Sequence, residues 1–528
     1  MENRMLRLNN LKLPLEATSA HIKNAAADKM HCAPKDIKNF KISKKSVDAR
    51  NKNNVHFVYS VDCEVAQNIL PDKDIEFLPE ETNLCFKIKD DGVRPIVVGS
   101  GPAGMFAGLA LAEAGLRPII IERGDEVDMR RRKVDYFWQS GILDDESNVQ
   151  FGEGGAGTFS DGKLMTGIKK DKFTRKVMQE FYAAGAPAEI LYLAKPHIGT
   201  DNLRRIVRNI RRKIVDLGGE YHFNSKLVGL KIAAEKLQAV QIEHNRQVYE
   251  LAANRLFLAI GHSARDTFEM LHQSGVYMTS KPFAVGVRIE HEQKMINTAQ
   301  YGSKFANSPY LGAADYKLAV HLPNGRSAYT FCMCPGGCVV AAASEKGRVV
   351  TNGMSEFARD KVNANAALLV GVDERDFGQD SPLSGMHWQR KLEEKAFIVG
   401  GNNYYAPSQL VGDFLQNKSS RKGGDVEPSY RPGVAWGNLN AVLPPVIIET
   451  MQAGIVEMAK KLHGFDCSDA VLTGVETRSS SPVRIVRDAT MQCNIHGIFP
   501  CGEGAGYAGG ITSSAADALK VVYSLCDD

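Results

Sequence analysis

Apolar and polar positions alternate with a period of two along Leu6 to Leu13, LRLNNLKL, which predicts a strand. Thr18 and Ser19 precede a helical pattern through Ile22 to Met30 and offer its cap. Two further alternating runs, NFKISKKSVDAR from Asn39 and NVHFVYSVDCEV from Asn54, predict strands joined by a polar turn at Asn51 to Asn54. Residues 1–90 therefore read as a small α+β module, and DDGVRP, from Asp90, reads as a linker. From Arg94 the pattern becomes strand, glycine turn, Ala-rich helix, then a second apolar strand at Pro118 to Ile121. Leu203, Ile206, Val207, Ile210 and Ile214 recur at helical spacing behind Thr200 or Asp201 as cap. Arg204, Arg205, Arg208, Arg211, Arg212 and Lys213 fall off that stripe, which predicts a solvated outer face. GGEYHFNSKLVGLKI returns to strand, and LFLAIGHS is a buried strand running into a glycine turn. Residues 281–480 mix short strands, helices and glycine or proline clusters, and the segment from Gly497 is again strand, glycine loop, helix. The expected fold is α/β. A Rossmann-type domain occupies 91–280 and 481–528, interrupted by an inserted α+β substrate or cap domain at 281–480 and preceded by the 1–90 module.

The turn after Ile96-Val97-Val98 reads Gly99-Ser100-Gly101-Pro102-Ala103-Gly104, a G-x-G-x-x-G string between strand and helix. Gly99 permits the tight turn, Gly101 lets backbone approach a pyrophosphate, and Gly104 lets the helix pack against the strand. The helix N-terminus contributes free N–H groups and partial positive charge. About twenty residues further on, Glu122 ends the second strand, where a carboxylate can accept both ribose hydroxyls. It favours an unphosphorylated ribose, while the neighbouring Arg123 can pair with a phosphate, so these two leave the dinucleotide open.

Three further strings carry a resemblance. Gln150 to Leu164, QFGEGGAGTFSDGKL, is rich in small residues and exposed backbone N–H groups, suited to polar cofactor atoms. Ala253 to Gly261, ANRLFLAIG, is a strand running into glycine, with His262 where an acid is usual. Gly497 to Ile511, GIFPCGEGAGYAGGI, is a strand ending in Gly-Glu and then a glycine loop. With the first fingerprint, these make residues 94–280 and 481–528 similar to the glutathione-reductase-like FAD-binding superfamily. The whole chain resembles, within it, bacterial proteins known as FAD-dependent dehydrogenases or NAD(P)/FAD-dependent oxidoreductases. The resemblance implies non-covalent FAD. It sets Gly155, Gly157, Thr158, Phe159 and Ser160 beside the pyrophosphate and flavin edge, and Gly261 at the domain crossing. It puts Gly502 and Glu503 at the ribityl chain. Gly509, Gly510 and Ile511 then start a helix whose dipole favours negative charge at the pyrimidine edge of reduced flavin. No second G-x-G-x-x-G suited to NAD(P)H occurs, though nicotinamide remains a possible electron donor, as does a protein.

The same family likeness extends to Phe331 to Cys338, FCMCPGGC, in the inserted region, and to Lys195 to Thr200, KPHIGT. Cys332 and Cys334 are thiol candidates for flavin chemistry, or else apolar packing at a glycine turn. His197 is a candidate acid or base, or a structural histidine. Arg478 and Arg484 can fix a substrate carboxylate or bind backbone at a domain junction. No second close Cys/His pair accompanies the cysteines, so no metal site is expected.

Composition changes little. The 528 residues are 44% apolar and 24% charged, with formal charge +4. The first 60 residues hold 12 Lys/Arg and 5 Asp/Glu, a local surplus of +7 that leaves −3 for the rest. Lys35 to Lys52 is thus a solubilising face, a partner dock or an RNA contact. The 10 scattered cysteines suggest a reducing compartment, and no signal peptide or membrane span is evident, so a cytoplasmic location is expected. The leading reading is an oxidoreductase moving a hydride or two electrons between FAD and a small organic substrate, with nucleic acid and membrane not expected as partners. The alternatives are a flavin-dependent RNA-modifying protein and a non-catalytic redox-sensing flavoprotein.

Overall fold

Strand Ile96–Val98 is the centre of a five-stranded parallel sheet in the computed structural model, which describes residues 5–65, 69–79, 84–165 and 171–526. The strand order is Ile498–Pro500, Leu256–Leu258, Ile96–Val98, Ile119–Ile121, Glu220–His222. These strands are three residues each and the four apolar ones are wholly buried, because both faces are covered. One face carries helices Pro102–Glu113, Lys172–Ala183, Thr200–Asp216 and Ile511–Tyr523, packed through Phe106, Phe181, Ile210 and Leu519. The other face carries an antiparallel three-stranded sheet, Ser225–Ala233, Lys236–His244 and Gln247–Ala252, packed through Leu227, Val240 and Ile242. The run GGEYHFNSKLVGLKI is therefore two strands in two sheets, with Asn224 (φ +51) turning between them.

Helix Pro102–Glu113 buries every residue from Ala103 to Ala112. Only a small-residue helix can be sandwiched in this way. A Cβ on Gly108 would stand 3.2 Å from the Ile120 side chain, and one on Gly104 would stand 1.8 Å from the Gly99 carbonyl oxygen. The basic helix starts one residue earlier than its sequence suggests. Gly199 (φ +79) is its cap, Thr200 donates its hydroxyl to the Thr158 carbonyl, and Asp201 accepts the Phe357 N–H at 2.9 Å. Its charged side is solvated only in part: Arg205 and Arg212 are exposed, while three of the other cations meet acids on other elements. Arg208 pairs with Asp128, Arg211 reaches the fully buried Glu153 at 2.8 Å, and Lys213 holds Glu113 and Glu180, each at 2.8 Å. Helix Val127–Ser140, which carries Asp128, lies alongside.

Residues 283–476 build a seven-stranded sheet. In order its strands are Ala319–His321, Ser327–Cys334, Asn363–Val372, Phe283–Glu292, Val471–Glu476, Ala406–Leu410 and Val434–Trp436, with only the last pair parallel. The two central strands are buried along nearly their whole length, yet they carry Arg288, Glu290 and Asn365. Helices Ser384–Val399 and Pro445–Ala459 complete this core.

The N-terminal module has strand order Ile37–Asp48, His56–Val65, Met5–Leu13, Ile75–Phe77, all antiparallel, with helix Ser19–Lys29 capped by Thr18. Its basic edge is partly covered by the chain itself. Lys45 exchanges backbone hydrogen bonds with Tyr192 and Ala194 at 2.8 and 2.9 Å, and Lys52 Nζ donates to the Ala299 carbonyl at 2.6 Å. Lys35, Lys38, Lys41 and Lys44 stay exposed. Among the described residues no helix is long and apolar enough to cross a membrane.

Candidate functional site

Three glycine segments meet at the C-terminal edge of the parallel sheet. Gly99 (φ +97) makes the turn out of the central strand, where a Cβ would stand 2.3 Å from the Ala259 carbonyl oxygen. Gly101 differs: its backbone is extended at φ −70, and a Cβ would find nothing nearer than Gly155 Cα at 3.7 Å. Pro102 follows at the first helical position, where no N–H is needed, and Ala103 and Gly104 present first-turn N–H groups. The loop from Gly152 lies directly on this turn, with Gly154 N–H donating to the Ser100 carbonyl at 2.9 Å. Gly155 adopts φ +60 and Gly157 abuts Ile511 of the closing helix. Thr158 and Phe159 are buried and Ser160 is half-buried, its hydroxyl donating to the Gly157 carbonyl at 2.7 Å.

Glu122 ties these segments together. One carboxylate oxygen accepts the Ser100 N–H at 2.9 Å and the Ser100 hydroxyl at 2.8 Å. The other accepts the Gly124 and Gly152 N–H groups, both at 2.9 Å. Four donors fill a carboxylate, so a ribose hydroxyl would have to share one of these oxygens. Glu122→Gln puts an NH2 group against these N–H donors. The expected result is about 1–3 kcal/mol less stability in urea unfolding and weaker flavin retention, since a buried donor loses its acceptor. Arg123 is not available to a phosphate. It grips Asp266 at 2.8 and 2.9 Å and Glu146 at 2.7 Å, and stacks 4.1 Å over the Phe151 ring.

The fit to FAD rests on acceptors and space left open by the protein. Glu503 follows strand Ile498–Pro500, with His262 Nε2 4.0 Å from its carboxylate. Burial raises the Glu503 carboxyl to about 7, against the pull of Lys281. Such a carboxyl is suited to a ribityl hydroxyl. Gly502 (φ +76) packs against Ala103, so the last segment touches the first. A Cβ on Gly261 or Gly509 would meet nothing within 4 Å. Gly510 caps helix Ile511–Tyr523, whose positive end faces this space. His262 stands in place of the usual acid. Burial and then Arg478 and Arg265 lower it to about 3, so it is neutral.

A residue the sequence reading passed over, Lys163, lies beside His197 and acts by its charge on both cysteines. Its backbone bridges that of His197, with Leu164 N–H donating to the Pro196 carbonyl and Ile198 N–H to the Gly162 carbonyl, both at 3.0 Å. His197 Nε2 lies 3.1 Å from the Phe357 carbonyl oxygen, and the ring stacks on Phe357. Nε2 therefore carries the proton, leaving Nδ1 as a buried acceptor without a partner among the described residues. Burial, then Arg359, lowers its pKa, so the ring is neutral at pH 7. Asp161 joins the glycine loop to the seven-stranded domain through Arg359 and Ser355, and Lys163 Nζ stands 3.6 Å away. On the far side, Cys334 is buried and Cys332 half-buried, and the charges of Lys163 and Arg288 both act on Cys332. Lys163 was legible only as the end of the glycine loop, because its neighbours lie in other elements.

Arg478 is not a substrate clamp. It is buried and bound to Glu393 at 2.9 and 3.1 Å. Arg484 keeps its guanidinium 5.3 Å over the Tyr507 ring.

A family described as "FAD-dependent protein, C-terminal domain-like" matches residues 282–479, and one described as "FAD binding domain" matches residues 94–143. A domain of unknown function matches residues 5–64. An uncharacterized protein of Clostridium beijerinckii is 48% identical over 531 residues, covering 99% of this chain and 98% of that protein. Solved structures share far less sequence. The flavin-dependent brominase Bmp2 is 12% identical, with 81% of this chain and 76% of that chain covered and a TM-score of 0.35. The FrdA chain of E. coli quinol fumarate reductase is 10% identical, with 82% and 68% covered and a TM-score of 0.35. The FAD-complexed glycerol-3-phosphate dehydrogenase of Bacillus halodurans is 11% identical, with 82% and 65% covered and a TM-score of 0.34. On the near full-length likeness at 48% identity and the matches to both domains, the chain belongs to a family of FAD-dependent flavoproteins that joins an FAD-binding domain to a C-terminal domain of its own.

Proposed function

We propose that this protein is an oxidoreductase that moves a hydride or two electrons between non-covalent FAD and a small organic substrate held under the seven-stranded domain. One observation carries the reading. Glycine turns at Gly99–Gly104, Gly152–Gly157 and Gly502–Gly510 converge on one edge of the sheet, and the loop leaving the second runs to Lys163, whose backbone bridges His197 and whose charge acts on Cys332. Bound flavin supplies the two-electron chemistry. The chain supplies the rest. Glu503 and the first turns of helices Pro102–Glu113 and Ile511–Tyr523 hold the cofactor. Lys163 offers a cation for an anionic substrate or a developing negative charge, and neutral His197 offers Nδ1 as proton acceptor. The Asp161–Arg359 contact keeps the glycine loop against the domain that covers it and limits water at the seam.

The test is direct. The purified protein is expected to be yellow, to release flavin on denaturation, and to bleach anaerobically with NADH or NADPH. A colourless protein that takes up no added FAD overturns the reading. A yellow protein that neither nucleotide bleaches overturns the nicotinamide donor and turns the search to a reducing substrate or a donor protein.

A further inference from the structure

The cysteines of FCMCPGGC lie on strand Ser327–Cys334 where its pairing with Asn363–Val372 breaks. Phe331 pairs with Ala367 and Cys334 with Asn365, so three steps on one strand oppose two on the other. The bulge falls on Cys332 and Met333, and Cys332 takes φ +41. A non-glycine residue in that region is uncommon and is concentrated at functional sites. The Cys334 thiol donates to the Cys332 carbonyl oxygen at 3.3 Å.

The surroundings are built for a changing charge. Arg288 is fully buried on strand Phe283–Glu292, one strand beyond Asn363–Val372, with its Nη2 3.1 Å from the Cys332 carbonyl oxygen and 3.6 Å from Cys334 Sγ. Asn365 Oδ1 accepts Arg288 Nε at 3.1 Å. Space for the guanidinium exists because residue 353 is glycine, where a Cβ would stand 1.6 Å from Nη2. The remaining neighbour is Glu476, whose Oε2 is 3.6 Å from Arg288 Nε. Among the described residues that oxygen and Arg288 Nη1 are both buried without a hydrogen-bond partner. The guanidinium is thus only partly matched by Glu476, and a thiolate at the cysteine pair completes its neutralisation. The neighbouring Cys334 thiol, then Lys163 and Arg288, hold the Cys332 thiol below its ordinary range, while Cys334 stays protonated.

We propose that Cys332 and Cys334 are a reversible dithiol–disulfide couple that exchanges two electrons with the flavin, Cys332 being the outward thiolate and Cys334 the buried partner that closes the ring. The inference rests on the proposed flavin site. In oxidation the S–H bond of Cys334 breaks and one S–S bond forms. Two electrons and that proton pass to oxidised flavin, and the reverse step restores thiolate and thiol. Arg288 is a positioning residue, because it fixes the charge and orientation of both cysteines. The couple lets the protein hold two electron pairs at once, one on the flavin and one on sulfur.

The test uses the holoprotein. Samples oxidised by ferricyanide and samples reduced by dithiothreitol are blocked with N-ethylmaleimide in denaturant, digested and weighed. The expected oxidised peptide carries a Cys332–Cys334 bond with Cys338 alkylated. Reduction is expected to leave all three alkylated. Anaerobic dithionite titration is expected to take two electron pairs per flavin in the wild type and one pair in Cys332→Ser or Cys334→Ser, each keeping its yellow flavin. Three free thiols in oxidised protein, with one electron pair per flavin, overturn the proposal and leave the flavin reading standing. A bond from Cys334 to Cys338, which now sits 3.6 Å from Lys361 Nζ, also overturns it. A wild type without flavin refutes the proposed function instead. The peptide masses need no variant, so a variant that fails to fold does not remove the test.

Discussion

Gly101→Val is expected to give a folded, colourless protein. The backbone at Gly101 is extended, at φ −70 and ψ −176, so valine adopts it without strain. Its nearest obstacle is Gly155 Cα, 3.7 Å from the added Cβ, so the turn itself tolerates the change. What valine fills is the space over the first turn of helix Pro102–Glu113, where a pyrophosphate draws on free N–H groups and the helix dipole. FAD affinity should fall at least about 100-fold, or about 2.8 kcal/mol. Circular dichroism and the melting temperature of the flavin-free form should match those of wild-type apoprotein. Gly104→Val separates the two effects. Its Cβ would lie 1.8 Å from the Gly99 carbonyl oxygen, so it should damage the fold itself. Wild-type flavin content in Gly101→Val would move the pyrophosphate away from this turn.

Glu393→Ala is expected to be the most destabilising single change. Glu393, on helix Ser384–Val399, is completely buried. It accepts from Arg265 at 2.7 and 2.8 Å, from Arg478 at 2.9 and 3.1 Å, and from the Thr477 hydroxyl at 2.6 Å. Arg265 belongs to the parallel-sheet domain and Arg478 follows the last long strand of the other sheet, so one carboxylate holds the junction. Alanine leaves two guanidinium groups buried, with Glu345 at the edge as their remaining acid. Breaking a buried pair from one side costs about 3–5 kcal/mol. The expected readouts are a lower melting temperature and faster proteolysis between the two domains, and an unchanged melting curve would refute the assignment. Burial alone would raise the Glu393 pKa, but Arg265 and Arg478 hold it well below the usual carboxylate range. Its contribution is therefore complete above the unfolded pKa of about 4.3 and fades as pH falls through the depressed folded value.

Local rules carried the sequence reading as far as they reach. Thr18 capping its helix, the turn between Val98 and Pro102, and the stripe Leu203 to Ile214 depend on neighbours within a few residues, so spacing reveals them. The basic helix misled because its partners Asp128, Glu153 and Glu180 sit on other elements, and composition cannot show that a charge is matched from outside. Arg123 and Arg478 were open to an anion in sequence and are closed to it in space for the same reason. Lys163 lay hidden because its meaning comes from His197 beside it and Cys332 across the seam. The cysteine motif announced itself, but Arg288 and Glu476 lie on different strands, and only strand pairing brings them to it.

Helix Ile511–Tyr523 covers helix Pro102–Glu113, and strand Ile498–Pro500 finishes the sheet those residues begin. A ribosome makes about 5–20 residues each second, so roughly 20–80 s separate the two halves during translation. Throughout that interval an almost wholly apolar helix waits for its cover. The nascent chain is thus a client for chaperones that shield such surfaces, and flavin loading waits for the closing helix. Riboflavin starvation should then leave a pool of full-length, flavin-free chains rather than truncated ones.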